Sequence, residues 1–553
     1  MAARVIAMER IYLFDTTLRD GAQTSGVNFS VEDKKLIAEA LDRLGIDYVE
    51  GGWPGANPTD SAFFEAAPTL RTAKMTAFGM TRRPGRSADN DPGFQAVLGA
   101  GAAVVCLVGK TWDFHVDAAL EIPRPENVAV IADSTRAVLD RGLEAMFDAE
   151  HFFDGYKANA GYALECLAAA LEAGARWIVL CDTNGGTLPD EVGRIVSEVA
   201  AVVPPEKLGI HAHNDTGNAV ANSLVAVQAG ARMVQGTLNG LGERCGNADL
   251  VTVIPSLTLK PQFAERFTCG LDAEQLRHLT PTSHLLDELL NRAPDRHAPY
   301  VGANAFAHKG GLHVSAVLKD PTTYEHVAPE LVGNARTVLV SDQSGRSNVL
   351  ARLAEVGIEL EPKDPRIERL LSEVKQREFE GYAYDGAEAS FELMARRTLD
   401  QVPDYFEVEG FRVMVERRHN ALGQLISVSE ATVKLTIEGR EIMSVAEGNG
   451  PVNALDNAIR KDFGVYAEHI ADLRLVDYKV RILDGGTEAV TRVLIESADR
   501  HGERWFTVGV SANIVDASFQ ALFDSIVYKL YREGAPSGAV ALRPPTAEKA
   551  DAG

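Results

Sequence analysis

The stretch Ile11-Tyr-Leu-Phe-Asp-Thr-Thr-Leu-Arg-Asp-Gly21 decides the fold class of this chain. Its first five residues have the apolar and aromatic character of a buried strand. A doubly wound open sheet usually carries a glycine-rich phosphate loop after its first strand, whereas this strand continues into Thr-Thr-Leu-Arg-Asp-Gly. We therefore expect a closed barrel and keep the doubly wound sheet as the alternative.

Seven similar apolar runs follow, and helix-like segments separate them. Apolar strands that alternate with helices indicate a parallel sheet covered on both faces. Eight strand–helix units in about 250 residues match an α/β fold of the (β/α)8 TIM-barrel type. The predicted strands are Ile11–Asp15, Asp47–Gly51, Lys74–Gly79, Ala103–Val108, Leu143–Phe147, Trp177–Cys181, Leu208–Ala212 and Met233–Thr237.

The first predicted helix, Val31–Leu44, illustrates the helical pattern. Ser30 and Asp33 have the spacing of a capping box, which starts a helix by satisfying its free backbone N–H groups. The apolar residues recur at helical spacing and should form one face: Leu36, Ile37, Ala40, Leu41 and Leu44.

The strand–helix alternation ends near Thr258, and further segments follow. A glycine- and histidine-rich region comes first, then a charged helical region. From about Phe406, a pattern of strands followed by a helix occurs twice, which predicts an α+β domain with two βββα units. The predicted division is 1–270 for the barrel, 271–335 and 336–405 for two linker subdomains, 406–533 for the α+β domain and 534–553 for a disordered tail.

The charge balance limits the partners of the chain. Its 553 residues include 55 Lys and Arg against 78 Asp and Glu, a formal net charge of −23. A surface this acidic repels nucleic-acid backbones and anionic lipid headgroups, so neither nucleic acid nor a membrane is expected as a partner. An anionic small substrate would need a local cluster of Arg, Lys or metal.

The sequence also indicates a compartment. No apolar stretch of about 18 residues predicts a membrane span, and the N-terminus lacks the apolar run of a signal peptide. The five cysteines form no C-x-x-C pair, which favours reduced thiols. We therefore expect a cytoplasmic location.

Metal-binding residue types gather at predicted strand ends, where TIM-barrel enzymes carry their catalytic groups. His211 and His213 are spaced i, i+2, so both side chains point to the same face. Asp20 follows the first strand and Asn247 follows the last. Two imidazoles with oxygen donors suit a divalent cation such as Zn²⁺, Mn²⁺, Co²⁺ or Fe²⁺, and Mg²⁺ is a further candidate for the cofactor. The alternative is that the two histidines are a hydrogen-bonded structural pair.

Four more polar residues stand at these ends. Arg19 could stabilise charge that develops on a carbonyl oxygen, or it could be a structural arginine that bridges carboxylates. Gln23 also follows the first strand, and we predict that it binds substrate. Glu150 and Thr183 could orient a substrate carboxylate, hydroxyl group or water, although Thr183 could equally serve a turn. Spacing alone does not place His313 and Tyr324 in a site.

Three motifs together resemble the metal-dependent Claisen-condensing barrel enzymes, the isopropylmalate, homocitrate and citramalate synthase family. The three are Phe14–Gln23, His211–Asp215 and Gly242–Asn247. Longer stretches resemble the citramalate synthase branch, and two C-terminal stretches resemble the regulatory domain of this family. These stretches are Tyr48–Gly55, Leu180–Leu188 and Ala305–Ala316, then Gly448–Ala454 and Ser511–Ala517.

The resemblance implies an acyltransferase that condenses acetyl-CoA with pyruvate and water in isoleucine biosynthesis. It implies that Asp20, His211, His213 and Asn247 bind the metal. His313 and Tyr324 would reach the site from the linker subdomain, with the partner subunit as their source, and assist proton transfer. Glu150 would help in that transfer or position water, and Arg19 would polarise the ketone together with the cation. Arg19, Gln23 and Thr183 would bind substrate. Residues 406–533 would form a regulatory, amino-acid-binding and dimerisation domain, with isoleucine as effector of a homodimer.

Three alternatives remain at this point. A 2-isopropylmalate synthase would use the same chemistry on 2-oxoisovalerate, because a hydrophobic pocket discriminates a methylene by only about 1–3 kcal/mol. A carbon–carbon lyase would run the reverse bond cleavage. A non-catalytic amino-acid sensor would have kept only the barrel.

Overall fold

The structure, a computed structural model, describes residues 8–340, 344–419, 421–483 and 489–537. The chain divides into two compact units, Met1–Phe306 with Glu325–Thr337, and Ala307–Tyr324 with Val338–Gly553. The finer division into five segments stays a prediction. Most of the predicted disordered tail, residues 538–553, lies outside the described residues.

Eight parallel strands close into a barrel in the first unit, which confirms the predicted fold class and excludes the doubly wound sheet. Each strand pairs with the next one along the chain, and the last pairs with the first. The strands are β1 Tyr12–Asp15, β2 Tyr48–Gly52, β3 Lys74–Met80, β4 Val104–Lys110, β5 Glu144–Glu150, β6 Trp177–Asp182, β7 Leu208–Ala212 and β8 Met233–Gly236.

Helices surround the barrel. Those between strands are Val31–Leu44, Pro58–Glu65, Pro92–Leu98, Asp113–His115, Arg124–Asp140, Phe152–Glu172, Pro189–Val199 and Ala219–Ala229. Leu250–Leu259, Pro261–Ala264, Ala273–Leu276 and Leu279–Leu289 follow β8.

The first helix confirms its predicted capping box. The Asp33 N–H donates to Ser30 Oγ at 3.1 Å, and the Ser30 N–H donates to the Asp33 carboxylate at 2.8 Å. Of the apolar face, Leu36 is 45% exposed, whereas the others are buried. Leu36 stands about 100° around the helix from Ile37, at the edge of the stripe that packs inward.

Two apolar layers hold the barrel together. Phe14, Tyr48, Met146 and Trp177 belong to one buried cluster contributed by the strands. A larger cluster lies between the strands and the surrounding helices. A barrel filled by side chains is a packed core and not a pore, so ligands are confined to its ends.

The second unit carries the two predicted βββα units. In the first, β9 Glu407–His419, β10 Leu425–Ile437 and β11 Arg440–Gly448 form an antiparallel sheet followed by the helix Pro451–Lys461. In the second, β12 Arg474–Ile482, β13 Thr491–Ala498 and β14 Arg504–Ser511 precede the helix Ile514–Arg532. The other helices are Gly311–Val317, Arg346–Glu355, Pro365–Phe379, Glu388–Thr398 and Ala467–Ile470. Among the described residues, no helix combines the length and apolar character that crossing a membrane requires.

A buried ion pair ties the first helix to the segment after β2. Lys34 Nζ donates to the Asp60 carboxylate and, at 2.9 Å, to the Gly51 carbonyl oxygen. Asp60 also accepts from the Trp53 N–H at 2.8 Å and from the Asn57 amide. Burial lowers the pKa of Lys34, against the opposing effect of Asp60. Loss of Asp60 would therefore leave a buried ammonium group with a single carbonyl partner.

Asp60→Asn should destabilise the barrel by about 3–5 kcal/mol, because it removes one partner of a buried ion pair. Lys35→Met is the matched control, since Lys35 on the same helix pairs with the exposed Glu32 and should cost under about 1 kcal/mol. Urea unfolding followed by tryptophan fluorescence measures both variants. Equal unfolding midpoints for the two would contradict the stabilising role of the pair.

Candidate active site

A cavity of about 330 Å³ opens at the carboxyl ends of the barrel strands. Seven of the barrel residues singled out from the sequence line it: Arg19, Asp20, Gln23, Glu150, Thr183, His211 and His213. Asn247 is beside them, because its side-chain amide donates to Asp20 Oδ2 at 2.8 Å. The fold therefore brings these eight residues together from five separate strand ends.

Asp20, His211 and His213 form one compact, buried group. The Nε2 atoms of the two histidines are 3.3 Å apart. His211 Nε2 is also 3.3 Å from Asp20 Oδ2. One ligand atom from each residue lies within 4.8 Å of the other two. The two imidazoles share a face because they are two positions apart on extended backbone.

The loop after β8 delivers Asn247 to this group. Gly246 has a φ of 86°, and a Cβ there would collide with the Gly240 carbonyl oxygen, so only glycine fits. The Asn247 N–H donates to that carbonyl oxygen at 3.2 Å, and Asn247 forms an isolated bridge with His213. Its side-chain Oδ1 is buried without a hydrogen-bond partner among the described residues.

This donor set fits a divalent cation. Burial alone would raise the pKa of the Asp20 carboxyl, but Arg19 and the histidines hold it well below its usual range, so Asp20 is a carboxylate. Burial and the neighbouring His211 lower the pKa of His213 to about 3, so its ring is neutral. Asn247 adds an unpartnered amide oxygen. Burial opposes a charge on His211, but the Asp20 carboxylate beside it raises its pKa overall, so a proton can hold these two side chains together. A divalent cation would replace that proton and satisfy the remaining buried acceptors.

Arg19 is held rigidly beside the group. Its Nε donates to Glu50 Oε2 at 2.7 Å, and its guanidinium carbon lies 3.9 Å from the centroid of the Phe78 ring. Its Nη1 is 3.6 Å from Asp20 Oδ1. Arg19 thus bridges carboxylates, as the structural alternative expected, and still lines the cavity. Glu50 lies within the resembling stretch Tyr48–Gly55, but the sequence analysis does not single it out as a site residue.

Glu150 and Thr183 complete the rim after β5 and β6. Glu150 Oε2 is 2.5 Å from Lys110 Nζ at the end of β4. Thr183 Oγ1 accepts a hydrogen bond from the His151 backbone N–H at 2.8 Å. Thr183 Oγ1 has no acceptor for its own hydrogen among the described residues, so that hydrogen can be donated to a ligand.

A hydrogen-bond chain behind His211 was also missed. His211 Nδ1 lies 2.8 Å from Gln235 Oε1 on β8. Gln235 Nε2 donates to Asp148 Oδ1 on β5 at 2.9 Å. The sequence did offer a signal for Gln235, because it is a polar residue within an apolar strand. A buried amide without hydrogen-bond partners would be unfavourable there, so partners were to be expected.

A second cavity, of about 280 Å³, shares lining residues with the first, among them Trp53, Lys110 and Glu150. Its lining extends to Arg82 and Arg83, in the segment after β3. Arg82 pairs with Asp133 and Lys110 pairs with Glu150, so among these cations Arg83 is the one without an ion pair in the described residues.

His313 and Tyr324 lie in the second unit. Their rings stack on each other, with centroids 4.2 Å apart and planes inclined by 27°. Tyr324 is 51% exposed. The structure brings these two side chains together, and their participation at the barrel cavity stays a prediction.

Three family models match successive parts of the chain. The model described as HMGL-like matches residues 10–282. The homocitrate synthase post-HMGL domain-like model matches residues 300–380. The LeuA allosteric (dimerisation) domain matches residues 385–530.

Full-length relatives agree with these matches. The chain is 50% identical over 530 residues to the (R)-citramalate synthase of Aquifex aeolicus, covering 95% of this chain and 98% of that protein. It is 51% identical over 529 residues to the (R)-citramalate synthase of Geobacter sulfurreducens, with the same coverage of 95% and 98%. Identity to the 2-isopropylmalate synthase of Clostridium kluyveri is 31% over 530 residues, covering 95% and 97%. The chain belongs to the family of the (R)-citramalate synthases.

Proposed function

We propose that this chain condenses acetyl-CoA with pyruvate and water to give (R)-citramalate and free CoA, as the first step of threonine-independent isoleucine biosynthesis. The observation that carries the proposal is the near-full-length similarity to (R)-citramalate synthases. The barrel-end group around Asp20 supports it, because an acyl-transferring condensation needs an electrophilic centre at the keto acid. The presence of all the proposed metal-binding residues argues against a non-catalytic sensor.

Asp20, His211, His213 and Asn247 would hold a divalent cation, with Mn²⁺, Mg²⁺, Zn²⁺ and Co²⁺ as candidates. When bound, the cation would act as a Lewis acid on the keto group of pyruvate. Asp20 carries the formal charge among these four side chains. The occupied site would therefore stay net positive and attract the pyruvate carboxylate.

Arg19 stabilises the charge that develops during carbon–carbon bond formation. The enolate of acetyl-CoA attacks the carbonyl carbon of pyruvate, and negative charge grows on the keto oxygen. Arg19, fixed by Glu50 and Phe78, can donate to that oxygen without reorganising. Thr183 donates its free hydroxyl hydrogen to the pyruvate carboxylate, and Gln23 on the same rim adds a polar contact.

Enolate formation requires a base that removes a proton from the acetyl methyl group. We assign this transfer to the stacked pair His313 and Tyr324, contributed by the linker region of a second copy of the chain. Glu150, beside Lys110, orients the pair or the water that hydrolyses the citramalyl thioester. That hydrolysis makes the overall condensation one-way.

The second cavity supports acetyl-CoA as co-substrate. An acetyl group beside Glu150 would lie where the two cavities share their lining. Arg82 and Arg83 provide guanidinium groups for the CoA phosphates. Trp53 and Phe94 supply apolar lining for the arm between the thioester and the phosphates.

The second unit supports dimerisation and feedback control. Apolar side chains of its sheets are exposed in the single chain, with Met414 at 57%, Met443 at 67% and Ile482 at 67%. Faces of this kind indicate a protein partner, and we propose a homodimer. We also propose isoleucine as the inhibitor, bound between βββα units.

Release of CoA from acetyl-CoA should be fastest with pyruvate in a panel that also holds 2-oxobutanoate, 2-oxoisovalerate and 2-oxoglutarate. It should stop when a chelator removes divalent cations and return when one is added back, because the keto group then regains its Lewis acid. A thiol reagent follows the reaction. Faster CoA release with 2-oxoisovalerate than with pyruvate would indicate a 2-isopropylmalate synthase instead. No CoA release with any of the four keto acids would overturn the condensing activity.

Arg19→Lys should lower kcat by about 10²–10³-fold, because lysine lacks the planar guanidinium that pairs with Glu50 through Nε and leaves its terminal nitrogens to donate to the keto oxygen. Arg176→Lys is the matched control. The Arg176 guanidinium lies 3.9 Å from the Trp177 ring centroid, the same stacking distance, but precedes β6 and is outside the site. Initial rates of CoA release measure both. Wild-type kcat in Arg19→Lys would contradict its proposed role.

Isoleucine should bind the full-length chain and slow CoA release, whereas leucine and valine should bind more weakly. An effector inhibits only if it prefers one of two states of the enzyme, so heat of binding and loss of rate should follow the same concentration dependence. Isothermal titration with the three amino acids measures this. Absence of heat from all three would leave the domain as a dimerisation module.

A further inference from the structure

We propose that Gln235 is a positioning residue that holds the His211 ring in the form able to bind a metal ion. This inference rests on the metal site in the proposed function. Gln235 lies outside the three sequence motifs that carry the family resemblance, and it does not line the catalytic cavity. It is fully buried in β8, in register with His211 on β7.

The partners of the Gln235 amide determine which way it points. Asp148, as a carboxylate, only accepts hydrogen bonds, so it takes the NH2 end of the amide. Burial raises the pKa of Asp148, against the opposing charges of His211 and Arg19 and the hydrogen bonds from the Cys106 thiol and the Gln235 amide. Its Oδ1 atom, which the Gln235 amide contacts, remains an acceptor even when Oδ2 carries a proton. The carbonyl oxygen Oε1 of Gln235 must then face the imidazole, as observed.

This orientation selects one tautomer of His211. An amide oxygen can only accept, so His211 Nδ1 must carry the ring hydrogen. Nε2 is then the nitrogen whose hydrogen a metal ion can displace, and in the neutral ring it carries the lone pair. That lone pair faces Asp20 and His213, each 3.3 Å away, which is the direction a metal ligand needs. In the other tautomer a hydrogen on Nε2 would block coordination.

His213 provides a contrast within the same site. Its Nδ1 is buried and has no hydrogen-bond partner among the described residues. A hydrogen bond from the chain therefore fixes the tautomer of His211, whereas no such bond fixes the tautomer of His213. Partners that orient metal-binding histidines typically contribute 10–100-fold to metal affinity. We expect the contribution of Gln235 to fall in that range of about 10–100-fold.

The test measures metal affinity directly on the full-length chain, after a chelator has removed bound cations. Gln235→Met keeps the side-chain length and removes the acceptor, and Gln235→Leu does the same with fewer atoms. Gln235→Glu keeps an acceptor for His211. Val234→Ala is the control, because Val234 is a buried residue of the same strand whose side chain packs in the outer cluster. Free Mn²⁺ is titrated by electron paramagnetic resonance, and circular dichroism checks each fold.

The two apolar variants should bind Mn²⁺ about 10–100-fold more weakly than the wild type, whereas Gln235→Glu and Val234→Ala should stay within a few-fold of it. The visible spectrum of bound Co²⁺ should also change in the apolar variants, because the ring is no longer fixed. Wild-type Mn²⁺ affinity in a folded Gln235→Met or Gln235→Leu chain would overturn the proposal and leave the condensing function intact. A wild type that binds no divalent cation would overturn both.

Discussion

The hydrogen bonds that join β1 to β8 close the barrel, and the candidate site depends on that closure. Asp20 follows β1 and Asn247 follows β8, yet their side chains are 2.8 Å apart. Thr24 and Gly242 exchange two hydrogen bonds, of 2.7 and 3.1 Å, between the same two loops. An open sheet of the same strands would leave the carboxylate and amide at opposite edges, far from each other.

Each buried carboxylate of the site has either the Arg19 guanidinium or a neutral hydrogen-bond donor as its partner. Glu50 holds Arg19, and Arg19 lies beside Asp20. Asp148 accepts from Gln235, whose other end meets His211. Unpaired buried charges would cost several kcal/mol each.

The sequence predicts the barrel and most of the site, because both rest on short-range patterns. Strand runs, the Ser30–Asp33 cap and the strand-end positions of Asp20 and His211 follow from local spacing. Gln235 and Glu50 escape such reasoning, since their importance lies in contacts across the barrel that only strand register creates. Leu36 shows a second limit of the sequence prediction. Helical spacing identifies the apolar face of a helix, but it does not show which residues at the border of that face are exposed. His313 and Tyr324 lie in the second unit. Residue spacing along the chain does not reveal whether they take part at the barrel cavity.

The proposed metal ligands come from both the beginning and the end of the barrel sequence. A cation bound to them would therefore hold together the two loops that follow β1 and β8. Opening β1 from β8 would separate Asp20 from Asn247 and release the ion. Binding and closure are then thermodynamically linked, and occupancy at 100 times the dissociation constant would add about 2.7 kcal/mol to the stability of the closed form. Availability of the ion would thus change the equilibrium stability of the closed barrel as well as the rate of its chemistry.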